Sequence, residues 1–84
     1  MAKYDPLKQF LQRQTGQTIT MSFKDVAEIV FGLPRSAYSY REWWSNETSG
    51  SHVQAHAWMA AGWKVDSASL SRQVVTFRRL TDPD

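Results

Sequence analysis

The sequence predicts a small α+β domain with three helices and a three-stranded antiparallel sheet. Some segments place apolar residues at the i, i+3, i+4 spacing of a helix, and others alternate polar and apolar residues as a strand does. The order is helix, strand, helix, connector, helix, strand, strand, so the early strand and the late hairpin must share one sheet to be stable. With 84 residues and no cysteine, the chain has room for one core without disulfides. We expect a single domain over residues 1–84, with 81–84 as a flexible tail.

The first helix is predicted from its capping residues and one apolar stripe. Asp5 is a suitable N-cap, and Pro6 then takes the first helical position, where its missing N–H costs nothing. The stripe consists of Leu7, Phe10 and Leu11. Gly16 is expected to end the segment.

A short strand and a second helix follow directly. Residues 18–23 alternate polar and apolar side chains, which predicts a half-buried strand. Ser22 and Asp25 form a variant of the capping box, so Ser22 is expected to cap the next helix. The buried stripe of that helix is Val26, Ile29 and Val30, and Gly32 closes it.

The connector over residues 33–50 is rich in large aromatic residues. Pro34 can start one helical turn over residues 35–38, and residues 46–50 are turn formers. Trp43 and Trp44 are adjacent, so an extended backbone would point them in opposite directions, with one buried and the other half exposed. The competing interpretation is that both pack beneath the connector.

A third helix and a hairpin complete the chain. Ser51 and Gln54 form a capping box, and Gly62 is the expected stop. The predicted inner face of this helix is Val53, Ala57, Trp58 and Ala61, while Trp63 is expected in the core as well. Residues 63–66 and 74–77 read as strands, and 69–72 as a turn of several residues.

This order of elements resembles the winged helix-turn-helix over residues 5–80. The resemblance implies that the third helix is presented outward and that the hairpin is the wing. The long connector departs from the pattern, in which three or four residues join the second and third helices. Because of this long connector, the sequence does not predict that the third helix takes the usual angle of a recognition helix.

Three motifs resemble those of a group of small bacterial domains of unknown function. They are Tyr4-Asp5-Pro6-Leu7, Trp43-Trp44-Ser45-Asn46 and Ala57-Trp58-Met59-Ala60-Ala61-Gly62-Trp63. The resemblance implies a bacterial or phage origin and supplies no activity.

The charges are mildly basic and unevenly placed. Ten Lys and Arg against eight Asp and Glu give +2 overall. Between residues 35 and 79 six cations face only Glu42, Glu47 and Asp66, so the basic excess lies in the connector and the hairpin. Of Arg78 and Arg79, adjacent on one strand, each should point to a different face. Residues 52–61 carry no Lys or Arg, which is unusual for a helix that reads DNA.

Our leading hypothesis from the sequence is binding of double-stranded DNA. A reading helix contacts bases with residues near its N-terminus; here these are Ser51, His52, Gln54, Ala55 and His56. Phosphates would be held by Arg35, Arg41, Lys64 and Arg72. The alternative is a module that binds another protein or itself. An exposed Trp43 or Trp44 beside Asn46 would then anchor the partner, or else stack a nucleobase.

Catalysis, cofactors and metals find little support in the sequence. His52 and His56 share a helix face, but Val53 stands where a zincin has Glu, and only Glu47 offers a third ligand. All four glycines fall at element ends, and no catalytic constellation is evident. We expect no enzyme activity, no small-molecule substrate, no cofactor and no metal. No apolar run approaches the length of a membrane span or a signal segment, so we expect a cytoplasmic protein that does not enter membranes.

Overall fold

The computed structural model describes residues 2–47, 50 and 52–80. Four α-helices and three strands are formed: α1 Asp5–Gln12, β1 Thr18–Ser22, α2 Phe23–Val30, α3 Arg35–Ser39, α4 Val53–Ala60, β2 Trp63–Ser69 and β3 Val74–Arg79. A 3₁₀ turn over Arg41–Trp44 lies between α3 and α4. The predicted α+β class is confirmed, with α3 added by the connector at the turn expected after Pro34. Ser51 and the expected tail lie outside the described residues.

The sheet is antiparallel, with the last strand of the chain in the middle. Its order is β1-β3-β2. Thr18 lies opposite Arg78 in the β1–β3 pair, and Lys64 lies opposite Arg78 in the β2–β3 pair. The register of β2 shifts between Val65 and Ser67, so Asp66 is an extra residue in a bulge. The connecting turn occupies residues 70–73, one residue later than predicted.

The start of α2 follows the predicted capping. Ser22 Oγ accepts a hydrogen bond of 3.0 Å from the backbone N–H of Asp25. At the other end Phe31 has a φ of 63°, and Gly32, with a φ of 109°, donates its N–H to the Ala27 carbonyl at 2.7 Å. The chain leaves the helix through two left-handed residues, the second being the expected glycine.

The prediction that Asp5 caps α1 is wrong. The helix begins at Asp5 itself, and Tyr4 occupies the cap position without a side-chain bond. The Asp5 carboxylate instead accepts a hydrogen bond of 3.1 Å from the Ala2 N–H, before the helix. An acidic side chain in the first turn still interacts favourably with the helix dipole. The predicted stripe is confirmed at Leu7 and Leu11, which are fully buried.

The buried face of α4 includes Ala57 and Trp58, as predicted, but differs from the prediction in the first turn of the helix. Val53 is 58% exposed, whereas Gln54 is 5% exposed and Ala55 is fully buried. The predicted capping box is also wrong, because His52 takes the cap position without a side-chain bond and Gln54 binds elsewhere. The helix packs against both α1 and β2, so its buried arc is wider than one apolar stripe. A hydrogen-bonded amide is tolerated in that arc.

The core is built around three buried tryptophans. Trp58 and Trp63 are fully buried, as predicted, and Trp44 is 2% exposed. The Phe23 and Trp44 rings stack with centroids 4.7 Å apart, and Trp44 stacks on Trp58 at 6.1 Å. Trp58 meets Phe77 of the sheet edge-on at 5.7 Å. This series of rings joins α2, the connector, α4 and the sheet into one apolar core.

The prediction that Trp43 and Trp44 lie in extended backbone and point in opposite directions is wrong, and both pack against the core, although to different degrees. They lie in the 3₁₀ turn rather than in extended backbone, and their ring centroids are only 4.7 Å apart. Trp44 points into the core, whereas Trp43 is half buried against Tyr4, at 5.9 Å. Burial raises the pKa of the Tyr4 hydroxyl at this contact.

The helices of the described part of the chain are short, with at most eight residues in the elements that form the core. None of the described helices could cross a lipid bilayer.

Candidate nucleic-acid interface

Asn46, a predicted partner-contact residue, makes its side-chain hydrogen bonds within the protein. Its Oδ1 accepts hydrogen bonds from Trp58 Nε1 at 2.9 Å and from the Val65 N–H at 2.8 Å. Its Nδ2 donates to the Val65 carbonyl at 2.9 Å. The side chain thus pairs with β2 much as a neighbouring strand would. Asn46 therefore holds the connector, α4 and the hairpin together.

Two motif tryptophans and Gln54 likewise donate hydrogen bonds to backbone carbonyls. Trp44 Nε1 donates to Ala37 O, and Trp63 Nε1 donates to Leu11 O, each at 2.9 Å. Gln54 Nε2 donates to Trp43 O at 2.9 Å. Buried polar groups need such partners. The residues that carry the sequence resemblance are therefore explained by the fold, and Gln54 and Trp44 are not offered to a ligand.

The exposed face of α4 is narrow and nearly uncharged. It consists of Val53, His56 and Ala60. His52 is half buried, with its Nδ1 3.5 Å from Ser45 Oγ. Of the predicted base-reading residues, Ser51 lies outside the described residues, and the side chains of Gln54 and Ala55 are buried.

A cleft of about 390 Å³ separates this face of α4 from the start of α1. Val53 and His56 line one wall, and Lys3 and Lys8 lie on the other. Lys3 Nζ also donates to the Val30 carbonyl at 3.0 Å. The sequence does not predict a role for these two lysines, because no motif or spacing connects them to Val53 and His56, which lie at least 45 positions later in the chain.

The outer face of the hairpin carries the clearest concentration of polar chemistry. Lys64 and Arg78 lie opposite one another on β2 and β3 and are both exposed. Arg78 donates from Nε and Nη2 to the two carboxylate oxygens of Asp66, at 3.2 and 3.3 Å. The hydrogen bond from Arg78 lowers the pKa of Asp66, with smaller contributions from the charges of Arg78 and Lys64. The same pair raises the pKa of Arg78.

A hollow of about 360 Å³ continues this face toward the hairpin turn. Hydroxyl groups and one guanidinium line it: Thr20, Ser67, Ser69, Arg72 and Thr76. The Thr20 and Thr76 hydroxyls lie 3.0 Å apart, and Ser69 Oγ accepts from the Arg72 N–H at 3.2 Å. Within the described residues no side-chain ion pair engages Arg72. Hydroxyls beside an unpaired guanidinium are donors suited to a phosphate.

The four predicted phosphate-holding residues are all exposed but do not share one of these hollows. Lys64 lies near the start of β2, whereas Arg72 lies in the turn after it. Arg41 lines a separate hollow of about 440 Å³ together with Glu42, Asp66 and Ser67. Arg35 is exposed on α3 and lines none of these hollows. The hairpin therefore carries two of the four residues, at opposite ends of β2.

Arg78 and Arg79 point to opposite faces, as predicted. Whereas Arg78 is exposed, Arg79 is half buried, with its guanidinium 4.4 Å from the centroid of Trp63. Arg79 also donates to the carbonyls of Gly16 and Gln14, both at 2.7 Å. It fastens the loop before β1 to the end of β3, so of this pair only Arg78 is exposed.

Metal ligands are sparse in this part of the molecule. His52 and His56 occur one helical turn apart, at the cap and in the first turns of α4. Across residues 2–47, 50 and 52–80, no three His, Asp or Glu side chains are grouped to hold a metal ion.

The fold and its motifs define a class of small α+β domain in which a Trp-Trp-x-Asn element locks the connector onto a three-stranded sheet. A family model described as "Domain of unknown function (DUF7662)" matches residues 4–80. The chain belongs to this family, in agreement with the resemblance drawn from its motifs. No curated protein and no solved structure matches the chain.

Proposed function

We propose that this domain binds nucleic acid, with double-stranded DNA as the preferred form, through the outer face of the β2–β3 hairpin. The observation that carries the proposal is the row of hydroxyls on that face, with Arg72 beside it and with Lys64 and Arg78 farther along the same face toward the start of β2. Asp66 is the acidic residue of the hairpin, and it is paired with Arg78. The face therefore has a positive balance.

Phosphate contacts of this kind give affinity without sequence preference. Lysine and arginine neutralise phosphates and release counterions, while hydroxyls and backbone N–H groups fix the position of the backbone. The proposed role of α4 is smaller than the sequence suggested. Among the predicted base-reading residues that the structure describes, His56 is exposed and His52 is half buried, whereas Gln54 and Ala55 are buried. We therefore expect weak, salt-dependent binding with little discrimination between base sequences.

The test is duplex binding by a variant in which both Lys64 and Arg72 are replaced by Gln. Each lost phosphate contact lowers the slope of log K against log salt by about 0.9, so the double variant should lose about 1.8 of slope and at least about tenfold of affinity. The matched control replaces two exposed cations outside the hairpin, Arg13 and Lys24, by Gln. The control should bind like the natural chain.

A folded natural chain that fails to bind duplex at low salt would refute the proposal. An equal loss in both double variants would show that only overall charge matters. Single-stranded DNA and RNA of the same sequence should be measured in parallel, since tighter binding to either would change the preferred substrate.

The second candidate function is binding of a protein partner or a second copy of the chain, which Phe31 favours. This side chain is 86% exposed at the end of α2, in a left-handed conformation that a phenylalanine rarely adopts. Tyr40 is a further exposed aromatic residue. Sedimentation of the natural chain and of Phe31→Asn tests this: a concentration-dependent dimer that the variant abolishes would support self-association.

A further inference from the structure

The two edges of the sheet are not equivalent. Since β3 is central, β1 and β2 are both edge strands. The edge of β2 is occupied at Val65, whose N–H and carbonyl both bind the Asn46 side chain. β1 contains no charged residue and no proline, the devices that usually guard an exposed edge.

The backbone direction of β1 follows from its bonds to β3. The Arg79 N–H donates to Gln17 O, and the Phe23 N–H donates to Gln73 O. Alternate residues of an antiparallel strand bond to the same neighbour, so the odd-numbered residues of β1 face β3. The N–H and carbonyl groups of Thr18 and Thr20 therefore point to the open edge. Outside the ladders, no backbone hydrogen bond of the described residues reaches either threonine.

Beside this edge lies a hollow of about 450 Å³ between β1, α1 and α2. Half-buried apolar side chains of Phe10, Ile19 and Ile29 line it. Thr20 and Met21 of β1 also line it, as do Asp25 and Glu28 of α2, which are both exposed. Neither carboxylate is in a salt bridge within the described part of the chain.

We propose that the open edge of β1 is a docking site for an extended segment of a partner protein that turns both apolar residues and Lys or Arg toward the helices. The segment adds to the sheet as a fourth strand, a common mode of peptide recognition. It forms main-chain hydrogen bonds with Thr18 and Thr20. Every second residue of a strand lies on the same face, so the apolar and basic side chains on this face are separated by two or four positions. The apolar ones enter the hollow, and the cations meet Asp25 and Glu28.

A second copy of this chain fits the edge less well. Two β1 strands paired about a two-fold axis would bring the same surface of each copy together. The carboxylates of Asp25 and Glu28 would then face their equivalents, whereas a basic segment complements them. Charge therefore decides in favour of a basic partner segment.

The experiment is selection of a displayed library of short random peptides against the natural chain, followed by amide NMR of the complex. Enriched peptides should carry apolar and basic residues at every second position, and the amides of Thr18 and Thr20 should shift and exchange more slowly. Thr20→Pro removes the outward N–H without breaking the bonds to β3. We expect at least about tenfold weaker binding by this variant, the size of one lost hydrogen bond of about 1.4 kcal/mol.

Thr20→Val changes the side chain but keeps the N–H, so it should lose far less affinity than Thr20→Pro, and an equal loss would overturn the main-chain contact. If Thr20→Pro does not fold, the double variant Asp25→Asn with Glu28→Gln tests the charge contribution, again with about tenfold weaker binding expected. The proposal is overturned if no peptide is enriched or if selected peptides shift amides away from β1. It is also overturned if the natural chain dimerises with the β1 amides protected, which would make a second copy the occupant.

Discussion

Asn46 lies where three parts of the chain meet, although it resembles an ordinary loop residue in sequence. Its single amide satisfies the indole N–H of buried Trp58 and both backbone groups of Val65. Asparagine suits this position because it combines an acceptor for two donors with a donor for a carbonyl. Aspartate, which has nearly the same shape, would keep the acceptors and lose the donor.

The first prediction follows from this difference. Asn46→Ala removes three hydrogen bonds and leaves a buried indole N–H unpaired, so we expect a loss of about 2–4 kcal/mol in the free energy of unfolding. Asn46→Asp should also be destabilised, because a carboxylate oxygen would replace the amide donor and face the Val65 carbonyl oxygen, which is itself an acceptor. Urea denaturation of the three proteins measures both effects. Equal stability of Asn46→Ala and the natural chain would contradict the assigned role.

A second prediction at the residue scale concerns Asp66. Its carboxylate engages Arg78, and the resulting hydrogen bond lowers its pKa, so the pair persists through neutral pH. Asp66→Asn should release Arg78 and raise the net charge of the hairpin by one. Under the proposed function, duplex affinity should then rise a few-fold at low salt, and the salt slope should steepen by up to about 0.9. Duplex titration at several salt concentrations checks both, and a weakened affinity would argue against the hairpin face.

At the scale of elements, α4 shows what sequence patterning can and cannot predict. The apolar spacing and Gly62 correctly predict its existence and the burial of Trp58. The sequence does not show that Gln54 would be buried, because polar side chains are usually exposed. Gln54 is buried because its side chain donates a hydrogen bond to the Trp43 carbonyl. The position of that carbonyl depends on how the connector folds over the helix.

The third prediction separates the two faces of α4. Gln54→Ala should lower the free energy of unfolding by about 1–3 kcal/mol, since it leaves the Trp43 carbonyl without its donor. His56→Ala, two positions later on the exposed face, should leave stability within about 0.5 kcal/mol of the natural chain. Thermal or urea unfolding compares them. Duplex binding by His56→Ala then reports whether α4 contributes to the interface, because stability is not in question there.

The connector is the element for which sequence patterning was least informative. One helical turn after Pro34 is predictable, whereas the sequence leaves open whether one or both of Trp43 and Trp44 are buried. The 3₁₀ turn is not predictable, because it depends on tertiary contacts of the two indoles with Tyr4, Phe23 and Trp58. Such contacts join residues distant in sequence, and no local pattern records them.

At the scale of the whole molecule, the residues that carry the sequence resemblance lie apart from the proposed binding faces. The tryptophans and Asn46 of those motifs build the core and close one sheet edge. The surface of the described residues includes the basic and hydroxyl-lined hairpin, the cleft beside α4, and the open edge of β1. Charge alone suggests Arg41, Lys64 and Arg72 as candidate residues, whereas the row of hydroxyls on the hairpin depends on strand register, which no local pattern records.

The central position of β3 has a consequence for how the chain is made. A ribosome produces β1 and β2 before β3, yet those two strands do not pair with each other. Until residues 74–79 leave the exit tunnel, the strands have no ladder, and the rings around Trp58 lack Phe77. The domain therefore completes its fold only after β3 has been made, and a message cut short before β3 yields a product suited to degradation rather than a smaller working domain.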